Sequence, residues 1–283
     1  MKKKIFAVTV AMAMATMMLS GCGSSSQSKA SEAVPSEAPA SEAASTEAAA
    51  PDAGEATGET LIVGTNAAFP PFEYVGDDGQ PDGFDVALIK AIGEKIGANV
   101  EIQDMEFDSL VSSIGNKIDM AIAGMTVTEE RKNMVDFSEP YYEAVQSVII
   151  PKDAAISSAE DLKGAAIGTQ LGTTGNFLAE DIEGASVSTY NKGVDAVNDL
   201  INGRVDCVII DKNPAEVFGA QFADKLTVLP GSQFDFEVEN YAIALPKGNT
   251  ELADKVNAAL ADLKADGTYD KLVSEYIDGA TEK

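Results

Sequence analysis

Short apolar runs that alternate with stretches of helical periodicity constrain this chain more than any other feature of its sequence. Leu61-Ile62-Val63 reads as a strand, and the next helix is expected from about Asp85, where Val86, Ile89, Ile92 and Ile96 recur on one face. Residues 100–105 and 120–124 are strand candidates flanking a helix at 108–115. Four more apolar runs, 145–150, 165–168, 186–190 and 207–210, sit among helical patterns at 158–163, 174–182, 193–202 and 214–220. Residues 250–276 form a helical stretch broken at Gly267, with Leu252, Val256, Ala259, Leu260 and Leu263 on one stripe. Strands separated by helices in this way build sheets covered by helices, so the expected class is α/β in two βαβ-built layers.

An internal echo points to two lobes. Ile114-Gly115-Asn116-Lys117-Ile118-Asp119 is mirrored 87 residues later by Ile201-Asn202-Gly203-Arg204-Val205-Asp206. Each is followed by an apolar strand, one ending at Gly124 and the other at Asp211. In open α/β sheets ligands collect beyond the carboxyl ends of strands, so these two ends would face a shared cleft.

The chain begins Lys2-Lys3-Lys4, followed by an uncharged apolar run at 5–19. That run is too short for a membrane span and has the flanks of a secretory signal. Leu19-Ser20-Gly21-Cys22 resembles a bacterial lipobox. The resemblance implies a signal peptide at 1–21, cleavage before Cys22 and lipid on its sulfur, anchoring the protein extracytoplasmically to the cell membrane. The alternative is a secretory signal that happens to contain a cysteine. Residues 22–59 then form a Ser/Ala/Glu/Pro linker that cannot bury enough apolar surface to order itself.

Composition removes several functions. There is no histidine, the commonest metal ligand and general base. Cys22 and Cys207 are the only cysteines, so no paired thiols exist for zinc. No metal, cofactor or catalytic group is expected. Cys207, inside an apolar run, reads as a small buried strand residue without a disulfide partner. A formal net charge of −26 argues against nucleic acid and anionic surfaces as partners.

Residues 119–142 concentrate the recognition chemistry. The strand candidate ends at Gly124, a polar turn follows, and Thr128 is placed to cap a helical turn opened by Glu129-Glu130-Arg131. Backbone donors, a threonine hydroxyl and a guanidinium thus meet at a strand end, a set suited to a small carboxylate gripped by arginine. By itself, Arg131 could equally be a surface arginine paired with Glu129 or Glu130. The glycine-rich run from Gly168 to Gly175 lacks the Gly-Lys-Ser/Thr of a phosphate-binding P-loop.

Taken in order, Phe69-Pro70-Pro71-Phe72-Glu73-Tyr74, Gly83-Phe84-Asp85-Val86, Ala123 to Arg131, Val135 to Tyr142, Gly172-Thr173-Thr174 and Gly267-Thr268-Tyr269 resemble the polar amino-acid family of extracellular solute-binding proteins that feed ABC importers. The resemblance covers about residues 60–277. It implies a two-lobe periplasmic-binding-protein-like clamp of type II with two hinge crossings, near Glu143-Ala144 and Glu239-Asn240. One lobe would be 60–143 plus 240–283 and the other 144–239. It also implies a monomer that delivers an amino acid to permease subunits.

Site roles follow from the same resemblance. Arg131 would hold the ligand α-carboxylate bidentately. Gly124 and Thr126 would supply a carbonyl, amides and a hydroxyl, and Asp211 would meet the α-ammonium. Asp211 could instead cap a helix after Pro214. Thr173 and Thr174 would offer backbone N–H groups to the carboxylate, with Gln170 reaching the side chain. Phe69 and Phe107 would sandwich the aliphatic stem, while Phe72 belongs in the core. Asn66 stands where many relatives that prefer cationic or glutamine side chains carry aspartate, which favours a polar uncharged ligand such as glutamine or cystine. Glu73, Glu106 or Asp108 could restore a cation site. Two other functions compete: a secreted dehydratase acting on a prephenate-like acid, with Glu73 or Asp211 as general acid, and a ligand-sensing lipoprotein.

Overall fold

The computed structural model of the chain describes residues 58–280. Cys22, the signal segment and the linker up to residue 57 lie outside the described residues. The chain first lays down β1 (Thr60–Thr65), β2 (Ala68–Phe69), β3 (Glu73–Val75), β4 (Pro81–Asp82), α1 (Phe84–Ile96), β5 (Asn99–Asp104), α2 (Phe107–Ser113), β6 (Met120–Ala121), α3 (Glu129–Lys132), β7 (Val135–Phe137) and β8 (Tyr142–Pro151). There follow β9 (Ala166–Gln170), α4 (Thr174–Glu180), β10 (Ser186–Tyr190), α5 (Gly193–Ile201), β11 (Cys207–Asp211), α6 (Lys212–Gln221), β12 (Leu226–Pro230), β13 (Val238–Tyr241), β14 (Ala244–Pro246), α7 (Thr250–Ala265) and α8 (Thr268–Leu272).

Two sheets of matching topology result. The first runs β5-β1-β6-β14-β7 and the second β10-β9-β11-β8-β12. In each, three parallel strands are followed by one antiparallel strand brought in by a crossing between sheets. The echoed motifs explain the match. Asp119 Oδ2 accepts from Ile62 N at 2.7 Å, and Asp206 Oδ2 accepts from Ala166 N at 2.8 Å. Each aspartate thus pins the strand that follows it, β6 or β11, beside its parallel neighbour, β1 or β9.

The crossings form a ribbon. β8 pairs antiparallel with β13 from Tyr142↔Tyr241 to Val145↔Val238 before β8 continues into the second sheet. Tyr241 ends the ribbon fully buried among aromatic rings. Phe72, also fully buried, has its ring centroid 5.0 Å from that of Tyr142, 5.3 Å from Tyr241 and 6.2 Å from Phe84, all three edge-to-face. The amphipathic faces of α1 and α7 pack against this core through Leu88, Ile89, Ile92, Val256, Leu260 and Leu263.

Several expected elements differ in detail. The ladder of β6 stops at Ala121, because Gly124 takes the left-handed φ of +52° that turns the chain out of the sheet. α6 begins at Lys212 rather than after Pro214. Proline in the first turn costs nothing there, since its missing N–H has no intrahelical acceptor. The pattern at 158–163 is a short 3₁₀ turn over Ala159–Leu162. Cys207 is fully buried and unpaired, with its thiol pushed up to about 12 by burial.

Truncation of Phe72 to alanine is expected to lower the unfolding free energy by about 3–5 kcal/mol, the range for a fully buried aromatic. Urea denaturation measures it, and a loss under about 1 kcal/mol would show that this ring does not organise the core.

Candidate ligand-binding site

A small cavity lies between the two sheets, lined by Asn66, Phe69, Phe107, Ala123, Gly124, Thr126, Arg131, Gln170, Thr173, Thr174 and Asp211. All ten residues singled out from the sequence are on its wall, and Ala123 is the one addition. They come from strand ends and the turns that follow them: β1, β6, β9 and β11 deliver Asn66, Gly124, Gln170 and Asp211.

Arg131 is only 7% exposed. Thr128 caps its helical turn, accepting from Arg131 N at 3.2 Å. The guanidinium donates to the carbonyls of Thr126 (2.6 Å) and Gly172 (3.0 Å), so it joins the two lobes. Its carbon stands 5.3 Å from the centroid of the Phe107 ring. Neither Glu129 nor Glu130 pairs with it; Glu129 takes Lys132 instead. Two of its five N–H groups serve these carbonyls, and the remainder can meet an anion. Burial pulls its pKa down, opposed by the negative charges of Glu239 and Asp211.

Asp211 is 6% exposed and accepts from the Tyr241 hydroxyl at 2.6 Å. It sits at the N-cap position of α6, yet its side chain makes no capping bond, which leaves it to the cavity. Burial first, then the charge of Glu239, push its pKa up to about 7. A cation entering the cavity would offset both.

The other wall is made of amides. Asn66 Nδ2 donates to the carbonyl of Met105 at 2.8 Å, and its Oδ1 accepts from Gln170 Nε2 at 2.9 Å. This second bond also spans the lobes. Gln170 Nε2 further donates to the carbonyl of Asn191 at 3.0 Å.

Glu239, on the ribbon, does not line the cavity but holds side chains that do, a role that the sequence did not reveal. The hydroxyls of Thr126 and Thr174 both donate to its Oε2, the latter at 2.7 Å, and Gln146 Nε2 donates to its Oε1 at 3.2 Å. Both threonine protons are therefore committed to this carboxylate, so Thr126 is not the free hydroxyl donor expected of it. Only its place on a hinge strand, two residues before Tyr241, could have drawn notice. The three acids proposed to restore a cation site do not join the wall. Glu73 is completely buried behind it, Asp108 borders a separate groove, and Glu106 lines neither. Burial off the cavity also removes Glu73 as a general acid acting in the cleft.

Residues 61–279 match the bacterial extracellular solute-binding proteins, family 3. The chain belongs to that family. This family 3 protein is 36% identical over 234 residues to the arginine-binding extracellular protein ArtP of Bacillus subtilis, covering 81% of this chain and 90% of that one. It is 32% identical over 222 residues to the L-cystine-binding protein TcyJ of Escherichia coli, covering 77% and 82%. An ancestral arginine-binding protein solved with arginine bound aligns with a TM-score of 0.73 at 41% identity, over 77% of this chain and 97% of that chain. The two-lobe α/β clamp is thus the architecture of its relatives, and those named are binding proteins rather than enzymes.

Asp211 makes the stability of the family 3 protein depend on pH. Its folded pKa exceeds the ordinary carboxylate value of about 3.9, so the folded state holds a proton the unfolded chain releases. The contribution is fully present below about pH 4 and is lost as pH rises through about 7. Ligand-free protein is expected to lose stability from about pH 4 to pH 7, and Asp211→Asn to flatten the slope by up to about 1.4 kcal/mol per pH unit. Urea titrations across that range measure it; an unchanged slope in the variant would contradict the assignment.

Proposed function

We propose that this protein captures a polar, uncharged L-amino acid such as glutamine or cystine between its lobes and delivers it to an ABC importer. Arg131 grips the α-carboxylate, with Thr173, Thr174 and the Gly124–Thr126 turn supplying backbone groups around it. Asp211 takes the α-ammonium, and Phe69 and Phe107 flank the stem. The lobes are 60–143 plus 240–283 and 144–239, hinged at the β8–β13 ribbon, and the Cys22 lipid holds the protein at the outer face of the cell membrane.

The observation that carries the substrate class is the charge count of the cavity wall. Its lining residues include one guanidinium, Arg131, and one carboxylate, Asp211. Once these meet the two α-charges, a cationic side chain finds no opposing carboxylate among the remaining lining residues. The amides of Asn66 and Gln170 complement a polar neutral tip.

Calorimetric titration of the chain from residue 59, unfolded and refolded to strip carried-over ligand, tests this. Glutamine or cystine is expected to bind at micromolar or tighter affinity and more tightly than arginine. Arg131→Ala should weaken that binding by about 1.5–3 kcal/mol or more, the scale of a charge-assisted pair. Arginine as the tightest ligand would overturn the substrate class, and undiminished binding in the variant would overturn the site. Asn66→Asp places a carboxylate among the wall amides and is expected to shift preference toward arginine over glutamine by about tenfold. Competition of the two amino acids on the variant measures it.

A further inference from the structure

Behind the cavity wall lies a pair of acids that ligand capture does not use. Glu73 on β3 and Asp85 in the first turn of α1 are both 0% exposed. Asp85 Oδ2 is well served, accepting from Gly124 N at 2.7 Å and from the Tyr141 hydroxyl at 2.7 Å. Its Oδ1 and both Glu73 oxygens are buried without a hydrogen-bond donor. Three orphaned acid oxygens in one dry place demand an explanation, because an unpaired buried charge is among the costliest groups a core can hold.

The fold forces the two carboxyls together. Asp85 N donates to the carbonyl of Phe72 at 2.8 Å, and Phe84 N to that of Pro71 at 3.1 Å, docking the start of α1 onto the chain that carries Glu73. Gly83 permits the approach: a Cβ there would sit 2.4 Å from the Phe72 oxygen and 3.0 Å from Glu73 Cα, and its φ is +121°. The carboxyls end within hydrogen-bond reach of each other. The charged groups facing Glu73 are Asp85 on α1, Asp211 on β11 and Asp104 on β5, all negative, and Tyr141 adds only a neutral hydroxyl. Asp85, in a helical first turn, is the better seat for the one negative charge.

We propose that Glu73 stays protonated at neutral pH and donates that proton to the free oxygen of Asp85, whose single remaining charge positions the Gly124 turn for ligand binding. Glu73 and Asp85 are positioning residues: neither lines the cavity, and both act through Gly124, so this part rests on the site assignment above. One proton on Glu73 supplies the donor that Asp85 Oδ1 lacks and removes one of two charges that could not coexist at this depth. Burial, followed by the charge of Asp85, pushes Glu73 well above the usual carboxylate range.

Carboxyl-labelled glutamate read by ¹³C NMR decides the protonation without any ligand. One glutamate resonance is expected to keep the position of a neutral acid at about pH 7, where ordinary glutamates are ionised, and to vanish in Glu73→Gln. If every glutamate is ionised in the wild type at that pH, or the neutral signal survives in Glu73→Gln, the shared proton is wrong. The wild-type spectrum alone can refute it should the variant not fold. Positioning is read separately, with glutamine and arginine as probes. Glu73→Gln, whose amide can still donate to Asp85, should hold affinity within about twofold, while Glu73→Leu should weaken it about tenfold or more by leaving Asp85 unpaired. Equal affinities in the two variants would refute positioning while leaving the site itself intact.

Discussion

The antiparallel pairing of β8 with β13 is the constraint on which the rest of the molecule depends. Four backbone pairs, Tyr142↔Tyr241 to Val145↔Val238, tie the outgoing crossing to the returning one. The recognition turn is stitched to the same ribbon, with Val127 N donating to the carbonyl of Asn240 at 2.9 Å and Ala242 N to that of Met125 at 3.1 Å. Glu239 on the ribbon collects threonine hydroxyls from both lobes. Opening the cleft would break the Arg131–Gly172 and Gln170–Asn66 bonds while leaving the ribbon ladder in place. A ligand that touches both lobes gains contacts only in the closed arrangement, which is what allows it to shift the equilibrium.

Without histidine, the protein handles buried charge with carboxyls and tyrosines. Asp211 is paired with the Tyr241 hydroxyl, and Asp85 with the Tyr141 hydroxyl. Those tyrosines are neighbours, their ring centroids 6.3 Å apart at the end of the ribbon. Phenolic hydroxyls can donate to a carboxylate without bringing a counter-charge, so Asp211 stays uncompensated and its pKa stays high. An α-ammonium is the natural complement of that state. The acidic exterior lies apart from the cavity, whose lining carries one guanidinium, Arg131, and one carboxylate, Asp211.

Much of this was legible in the sequence. Periodicity located α1 and α7, which bury an apolar stripe, β1, which buries its last three residues, and β5 and β10, which mix half-buried with exposed residues. The echo at Asp119 and Asp206 proved to be a repeated structural device, a carboxylate binding the backbone of the neighbouring parallel strand. Strands of two or three residues, such as β2, β4 and β14, were missed, since they exist through partners distant in the chain and carry no period of their own. The cavity residues were placed through the family resemblance and strand ends, whereas Glu239 and the Glu73–Asp85 pair were not. Their roles depend on which side chains the hinge and the Gly83 contact bring together, and no local pattern encodes that.

The central claim is that one amino acid is held by its two α-charges, the carboxylate at Arg131 and the ammonium at Asp211. Calorimetric comparison of glutamine with two analogues, one lacking the α-amine and one with its α-carboxylate converted to an amide, tests it most directly. Both analogues should bind at least about tenfold more weakly than glutamine, as expected when a buried charge loses its partner. Equal affinity for either analogue would show that the corresponding side chain does not hold the ligand and would contradict the clamp.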